Sequence, residues 1–524
     1  MAMFSKLRFH NLICNNLFAP DGSSRINTWL ASLAIILTAV AGGIAATNSL
    51  PLFQDGAYYF IKLYYFQEPL TPHFRHAAGL FQLPALLGAT HGLALPDVRL
   101  LFGLGYALVP ALALLLSWLV VRRDSPELFI WPALYILFVN TVNFSWVSEL
   151  LISLQLVLPL YLSVLLYPCS RKFWLAFLFT TPLLFTLHPL VAGEFFTLGM
   201  ISVGLALLRK IERKQYFQIS LAFTTLFLGK LGWSLLYTSR YETSQSVSGY
   251  FFKTSPENLF LLLASSGIGL ILFMDSNSAL QRRLMWAGFA VACAAFWYLT
   301  TKSSSGHVVI PGAIAGMIAL VVVLLLSLLI AFLTSRYSQM RLSSQQITLF
   351  SLPTLAIGSL ASQYFEHGIV LKTGATFFFF VMILVLAAID RMKRARALLP
   401  QRLAFAAWLA ALYLVVIFVK AVVWNIVGAN LIASLPSQND TCIDLETTRP
   451  QWLSEYPGAA INNWSLPSLA IALQDSSPPR YLLKTTEDCK LLSENSELAL
   501  APWERIPVWL ANCRVETPGT SCRQ

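Results

Sequence analysis

Apolar residues run along this chain in long blocks, without the every-second-residue alternation of membrane β-strands, and charged residues gather in the gaps between them. Thirteen blocks can be drawn, at about 27–47, 98–121, 127–145, 148–167, 172–188, 190–208, 217–238, 258–274, 284–301, 308–333, 347–361, 374–389 and 403–427. An α-helix needs about 20 apolar residues to cross a bilayer. The pattern therefore predicts an all-α polytopic membrane protein with about 13 transmembrane helices. The blocks at 347–361 and 374–389 are short and read as a broken or re-entrant pair, whose removal would leave the parity unchanged. The chain divides into a transmembrane domain, residues 1–427, and a tail, residues 428–524. Outside the tail, the longest gap is the first outer loop, residues 48–97.

Composition narrows the class. Hydrophobic residues make up 56% of the chain and charged residues only 12%, which excludes an ordinary soluble enzyme, a disordered chain and a small disulfide scaffold. The net charge of +11 would point to nucleic acid in a soluble protein. Here its placement is topological. With the N-terminus inside, the inner segments hold 20 Lys and Arg and the outer loops seven. Cytoplasmic loops collect such residues, so the tail lies outside. The first 26 residues lack an apolar core of signal-peptide length, so the first span reads as a retained anchor. The expected location is the cytoplasmic (inner) membrane, with a periplasmic C-terminal domain.

Four of the seven cysteines, Cys442, Cys489, Cys513 and Cys522, fall in the tail. An even number confined to the outer soluble segment reads as two disulfides in an oxidising compartment. A zinc site competes with this reading, but the tail holds neither a CxxC pair nor a His.

Ionisable side chains are placed selectively. A charge at the centre of a span costs roughly 2.5–3.5 kcal/mol on insertion scales and usually marks an ion path. No Asp, Glu or His falls at the centre of a drawn span, whereas Asp55, Glu68, Asp97, Glu149, Glu194, Glu242, Glu257 and Glu366 fall at the outer face. So do His73, His76, His91, His188, His307 and His367. This argues against an ion-coupled transporter and for a polar site built from several outer loops.

The first of these loops carries Gln54-Asp55-Gly56, an aromatic run from Tyr58 to Phe66, and the cationic cluster His73-Phe74-Arg75-His76. The run suits a helix lying in the interface with its rings at headgroup level. Acid, interfacial helix and basic cluster together suit a lipid-phosphate substrate, although headgroup anchoring would also explain them. Glu149 opens a span, where the helix dipole alone would favour an acid. His188 to Glu194 joins two spans, as a site lining or as a simple polar break. Arg240, Lys302, His307 and His367 are further outer-face groups that meet headgroups or a phosphate.

This layout resembles the GT-C superfamily of integral-membrane glycosyltransferases, which includes oligosaccharyltransferases, protein O-mannosyltransferases and aminoarabinose transferases of lipid A. Members have many spans, a long first outer loop with interfacial helices, and a catalytic acid early in that loop. Asp55 matches that acid by position, and Glu149 matches the second acid found in a later outer loop of some members. The paired first-loop acids of other members are absent here. The resemblance implies a sugar donor on a polyprenyl phosphate or pyrophosphate and a lipid, glycan or protein acceptor, among membrane lipids and without nucleic acid. It makes Asp55 and Glu149 the catalytic pair. His73, Arg75, His76, Arg240 and Lys302 would bind the donor phosphate, and His188, Glu194, His307 and His367 would line the acceptor side. A divalent cation, Mg or Mn, is an open option. Other readings remain: another envelope-polysaccharide enzyme such as a polymerase or ligase, a lipid or polysaccharide transporter, and a non-catalytic assembly subunit.

Overall fold

The computed structural model describes residues 22–53, 55–71, 75–142, 147–209, 211–236, nine positions between 376 and 391, 399–433, 442–444, 465–474, 481–483, 497–501 and 504–507. Up to Ala433 the described residues form helices and turns only. In chain order the longer helices are α1 (Gly22–Thr47), α2 (Asp55–Phe66), α3 (Ala78–Thr90), α4 (Leu95–Ala107), α5 (Val109–Val121) and α6 (Ile130–Val142). They continue with α7 (Glu149–Leu166), α8 (Arg171–Phe185), α9 (Val191–Leu208), α10 (Arg213–Leu236) and α11 (Leu399–Ala433). Among the described residues, five stretches are long and apolar enough to cross a membrane: Ile26–Thr47, Leu95–Val121, Glu149–Leu166, Val191–Leu208 and Arg402–Ala433. The blocks drawn between 258 and 361 lie outside the described residues.

Helix starts follow local chemistry. The Ser148 and Ser170 side chains accept hydrogen bonds from the backbone N–H of Leu151 and Phe173, capping α7 and α8. Charged residues punctuate the other ends, with Arg122 and Arg123 after α5 and Arg209 after α9. α7 is the central helix, buried from Glu149 to Leu165. The helices around it turn apolar side chains outward, such as Phe179, Leu178 and Leu221, as lipid-facing surfaces do.

Close packing rests on small residues. A Cβ added at Gly42 of α1 would sit 2.4 Å from the Ala107 carbonyl oxygen, and one at Gly105 would sit 1.9 Å from that of Phe81. These glycines let α1 and α3 approach the α4 backbone, the usual device of membrane helix pairs.

One expectation about the first loop needs correction. The aromatic run does form a helix, α2, but its rings pack against protein rather than facing lipid headgroups. Residues 56–61 and 63–65 are buried, with Phe60 against Phe102 at 5.6 Å and Phe53, just before the helix, against Trp424 at 5.8 Å. The covering surface comes partly from the tail. Its helix α12 (Leu466–Leu473) packs on α2, and Arg99 Nη1 donates to the Ala472 carbonyl at 2.7 Å. The tail also holds two short strand pairs. Strands β1 (Cys442–Asp444) and β2 (Tyr481–Leu483) are parallel, and β3 (Glu497–Ala501) and β4 (Glu504–Pro507) are antiparallel. Cys442 lies in β1, whereas Cys489, Cys513 and Cys522 lie outside the described residues.

At the opposite end of the bundle, Asp390 is clamped by an ion pair with Arg402 and by Trp131 Nε1, which donates at 2.8 Å. All three are buried. The clamp joins the starts of α6 and α11.

Candidate functional site

Asp55 opens α2, and its position depends on a close backbone contact. A Cβ at the next residue, Gly56, would fall 1.7 Å from the Pro51 carbonyl oxygen and 3.1 Å from Val147. Only glycine lets the start of α2 fold onto the Pro51 carbonyl, and Val147, which leads into α7, lies close beside it. That contact brings the first outer loop to Glu149, the first residue of α7.

Glu149 is buried and doubly bound. Tyr59, four residues after Asp55 and on the same face of α2, donates its hydroxyl to Oε1 at 3.0 Å. Arg75 Nη1 donates to Oε2 at 3.1 Å. Asp55 has part of its surface open, yet the surrounding protein lifts its carboxyl from the usual 3.8 to about 6. Burial is the main cause, the Glu149 charge adds to it, and Arg75 opposes it. The same burial, with Glu149 and Asp55 nearby, holds the Tyr59 phenol well above its usual range, so it stays a hydrogen-bond donor.

The strand of loop leading to Arg75 is itself fixed. Gln82 on α3 donates to the Leu70 carbonyl at 2.7 Å and to the Tyr106 hydroxyl at 3.2 Å, and its oxygen accepts from the Leu70 N–H at 2.8 Å. Farther on, the Ala77 N–H donates to the Thr186 carbonyl at 3.3 Å, which draws the α8–α9 turn beside the Arg75 segment.

The structure thus brings Asp55, Arg75 and Glu149 together. His76 is the exposed neighbour of Arg75. His188 lies in the adjoining turn, where Nδ1 accepts from the Leu190 N–H at 3.1 Å and shapes the entry to α9. Glu194 is buried rather than open at the outer face. It sits in the first turn of α9, fully buried, with Oε1 accepting from Ser153 Oγ at 2.5 Å. Ser153 lies one helical turn along α7 from Glu149, so the acid packs against α7. His73, Arg240, Lys302, His307 and His367 lie outside the described residues.

Tyr59, Gln82 and Tyr106 were not singled out from the sequence. The i, i+4 spacing of Asp55 and Tyr59 is the one signal that would have found any of them. Two lysines inside spans also turn out to be clamps. Lys230 Nζ donates to the Phe185 carbonyl at 2.7 Å, and Lys420 Nζ donates to those of Asn140 and Thr141 at 3.2 and 2.8 Å. Each thereby meets carbonyls at the end of a helix, where cations are favoured.

The described residues supply no complete protein-ligand set for a divalent cation. Among the described residues no three His, Cys, Asp or Glu side chains group together, and both Glu149 oxygens are engaged by Tyr59 and Arg75. A cation at Asp55 would have one protein carboxylate, where Mg is held by one or two plus substrate phosphates.

No family model, curated protein or solved structure matches the chain.

Proposed function

We propose that this protein is a membrane glycosyltransferase that moves a sugar from a polyprenyl phosphate or pyrophosphate to an acceptor hydroxyl at the outer face of the cytoplasmic membrane. The reading takes the chain as GT-C-like, with about thirteen spans, the N-terminus inside and a disulfide-bonded tail outside. The observation that carries it is the meeting of Asp55 and Arg75 of the first loop with Glu149, which lies 94 and 74 residues further along the chain.

In this scheme Asp55 is the general base. Its carboxylate accepts the proton of the acceptor hydroxyl as that oxygen bonds to the anomeric carbon. The bond from the anomeric carbon to the phosphate oxygen breaks, and its electron pair leaves with the phosphate. The transition state is oxocarbenium-like, as in glycoside hydrolysis. A base that titrates near neutral pH suits this task. Arg75 places a positive charge beside the departing phosphate. Glu149 is a positioning residue: with Tyr59 it fixes the guanidinium rather than touching substrate. This departs from the catalytic role that the resemblance implies for it.

The test is transfer from a synthetic polyprenyl-phosphate sugar by the purified full chain. Asp55→Asn should retain donor binding and lose turnover by at least about a hundredfold, the usual size of a general-base contribution. Near-wild-type turnover in a folded Asp55→Asn variant would refute the assignment.

A transporter remains the second reading, and one observation favours it. Glu194 is an acid buried within a candidate span, close enough to Lys230 to interact electrostatically. Such groups mark ion paths. Proton uptake into proteoliposomes that disappears with Glu194→Gln would favour transport over transfer.

A further inference from the structure

Helix α3 is inverted. Apart from Gln82 and its last residue, Thr90, it carries no polar side chain, yet Gln82 is fully buried while Leu80, Leu83 and Leu87 are exposed. Burying an amide costs free energy unless its hydrogen bonds are made, so it is the bonds that hold Gln82 inside. We propose that Gln82 is a positioning residue for Arg75, the cation of the carboxylate site. Its consequence for sugar transfer rests on the reading above, whereas its hold on Arg75 does not.

The amide has one good orientation. Oε1 accepts from the Leu70 N–H at 2.8 Å, and Nε2 donates to the Leu70 carbonyl at 2.7 Å. Turned over, it would set N–H against N–H and oxygen against oxygen. This orientation leaves the other Nε2 proton for the Tyr106 hydroxyl, at 3.2 Å. One side chain thereby joins the residues before Arg75 to α3 and to α4.

Arg75 is held on α3 from both sides. Ahead of it, Gln67 Nε2 donates to the Ala89 carbonyl at 3.1 Å, and a Cβ at Gly79 would sit 3.2 Å from Pro69 and 3.4 Å from Thr71. After it, the Ala78 N–H donates to the Arg75 carbonyl at 2.9 Å and the Gly79 N–H to that of His76 at 3.1 Å. Ala78 stands one turn before Gln82 on the same face. The chain is thus pinned to α3 by Gln82 before Arg75 and becomes α3 just after it. From α4, Tyr106 lies close enough to Glu149 and Tyr59 to interact electrostatically with both, so this junction stands beside the pair that Arg75 completes.

The role can be read from the sign of one shift. Arg75 opposes the burial and the Glu149 charge that together lift the Asp55 carboxyl. Displacing Arg75 should lift it further, whereas loosening that merely admits water would lower it towards 3.8. The experiment compares the unfolding stability of the full chain in neutral detergent with that of its Asp55→Asn counterpart across pH, which reads the Asp55 midpoint without any donor. Gln82→Met, close in size and lacking the amide's bonds, should raise the midpoint above about 6. In the donor assay the same variant should lose about ten- to a hundredfold in kcat, as misplaced groups do. A midpoint that stays or falls in folded Gln82→Met would overturn the proposal. If that variant does not fold, Gln82→Asn, an amide one carbon shorter, is judged by the same criterion. With Arg75→Gln already in place, Gln82→Met should leave the midpoint alone, and a shift that persists there would overturn the route through Arg75. A midpoint that rises in a protein whose wild type transfers no sugar would sink the transferase reading and leave the link between Gln82 and Arg75 standing.

Discussion

Replacing Asp55 with Asn should make the protein more stable while removing transfer. The carboxyl is lifted from 3.8 to about 6, chiefly by burial, with Glu149 adding and Arg75 opposing. Each pKa unit is worth about 1.4 kcal/mol, so the ionised side chain destabilises the fold by about 2–3 kcal/mol, the lower end allowing for its partial exposure. The sign follows from proton binding. Between pH 3.8 and about 6 the folded chain keeps a proton that the unfolded chain has released. Stability from this group is therefore fully present below that window and lost as pH rises through it. Asn is neutral throughout. Asp55→Asn should gain about 2–3 kcal/mol over wild type near pH 8 and nothing near pH 4. Denaturant unfolding of the detergent-solubilised chain at the two pH values reads the stability, and the donor assay on the same samples reads the transfer. Equal stability of the two proteins near pH 8, or a gain that is the same near pH 4, would refute the claim that this charge is held at a cost.

Glu149→Gln removes the second cause of the Asp55 shift but not the first, so the acid limb of the pH–rate profile should move down by about one unit or less. The same change takes the Glu149 carboxylate from the largely buried Arg75 and should cost up to about 3–5 kcal/mol in unfolding measurements. Gly56→Ala places a methyl inside the Pro51 carbonyl contact and should abolish transfer, while Gly204→Ala, with nothing within 4 Å, should be neutral or stabilising by up to about 1 kcal/mol. Western blots and thermal scans of the two variants compare their folding directly. Asp390→Ala strands the buried Arg402 at the other end of the bundle and should cost about 3–5 kcal/mol, with the pH–rate profile unchanged in what remains folded.

Some of this was legible in the sequence. Arg122 and Arg123 stop one apolar block and α5 ends at Val121; Arg171 and Lys172 start another and α8 begins at Arg171. Charge is excluded from the apolar layer, so helix ends are written locally. Asp55 and Glu149 stood out for the same reason. What the sequence withheld is which cation meets which acid. The choice of Arg75 for Glu149 depends on where the flanking residues 67–71 and 75–77 are held, to which the Gln82 amide on Leu70 and the Ala77 link to Thr186 contribute. The aromatic run misled for a related reason. Composition marks Tyr58 to Phe66 as amphipathic, but whether rings meet lipid or protein depends on α12, which lies some four hundred residues later in the chain. Glu194 was read with the junction of two spans, and its bond with Ser153 depends on packing between α7 and α9 that the sequence does not show.

The dependence of α2 on the tail can be tested alone. A 12-residue helix is too short to persist by itself, so α2 holds Asp55 in place only through its contacts. At one end these are the Gly56 fit and the Tyr59–Glu149 bond, and along its length they include α12. Leu469 of α12 is 1% exposed, and Leu469→Ala should cost about 2–5 kcal/mol. If α12 were a separate module resting on the outside, that loss would appear as tail unfolding with transfer per folded molecule unchanged. If α12 is part of what positions α2, transfer should fall under conditions where the variant remains folded, and the acid limb should drift from about 6 towards the ordinary carboxylate range as water reaches Asp55. Lost activity with an unmoved acid limb would place the tail's contribution elsewhere than at the acid.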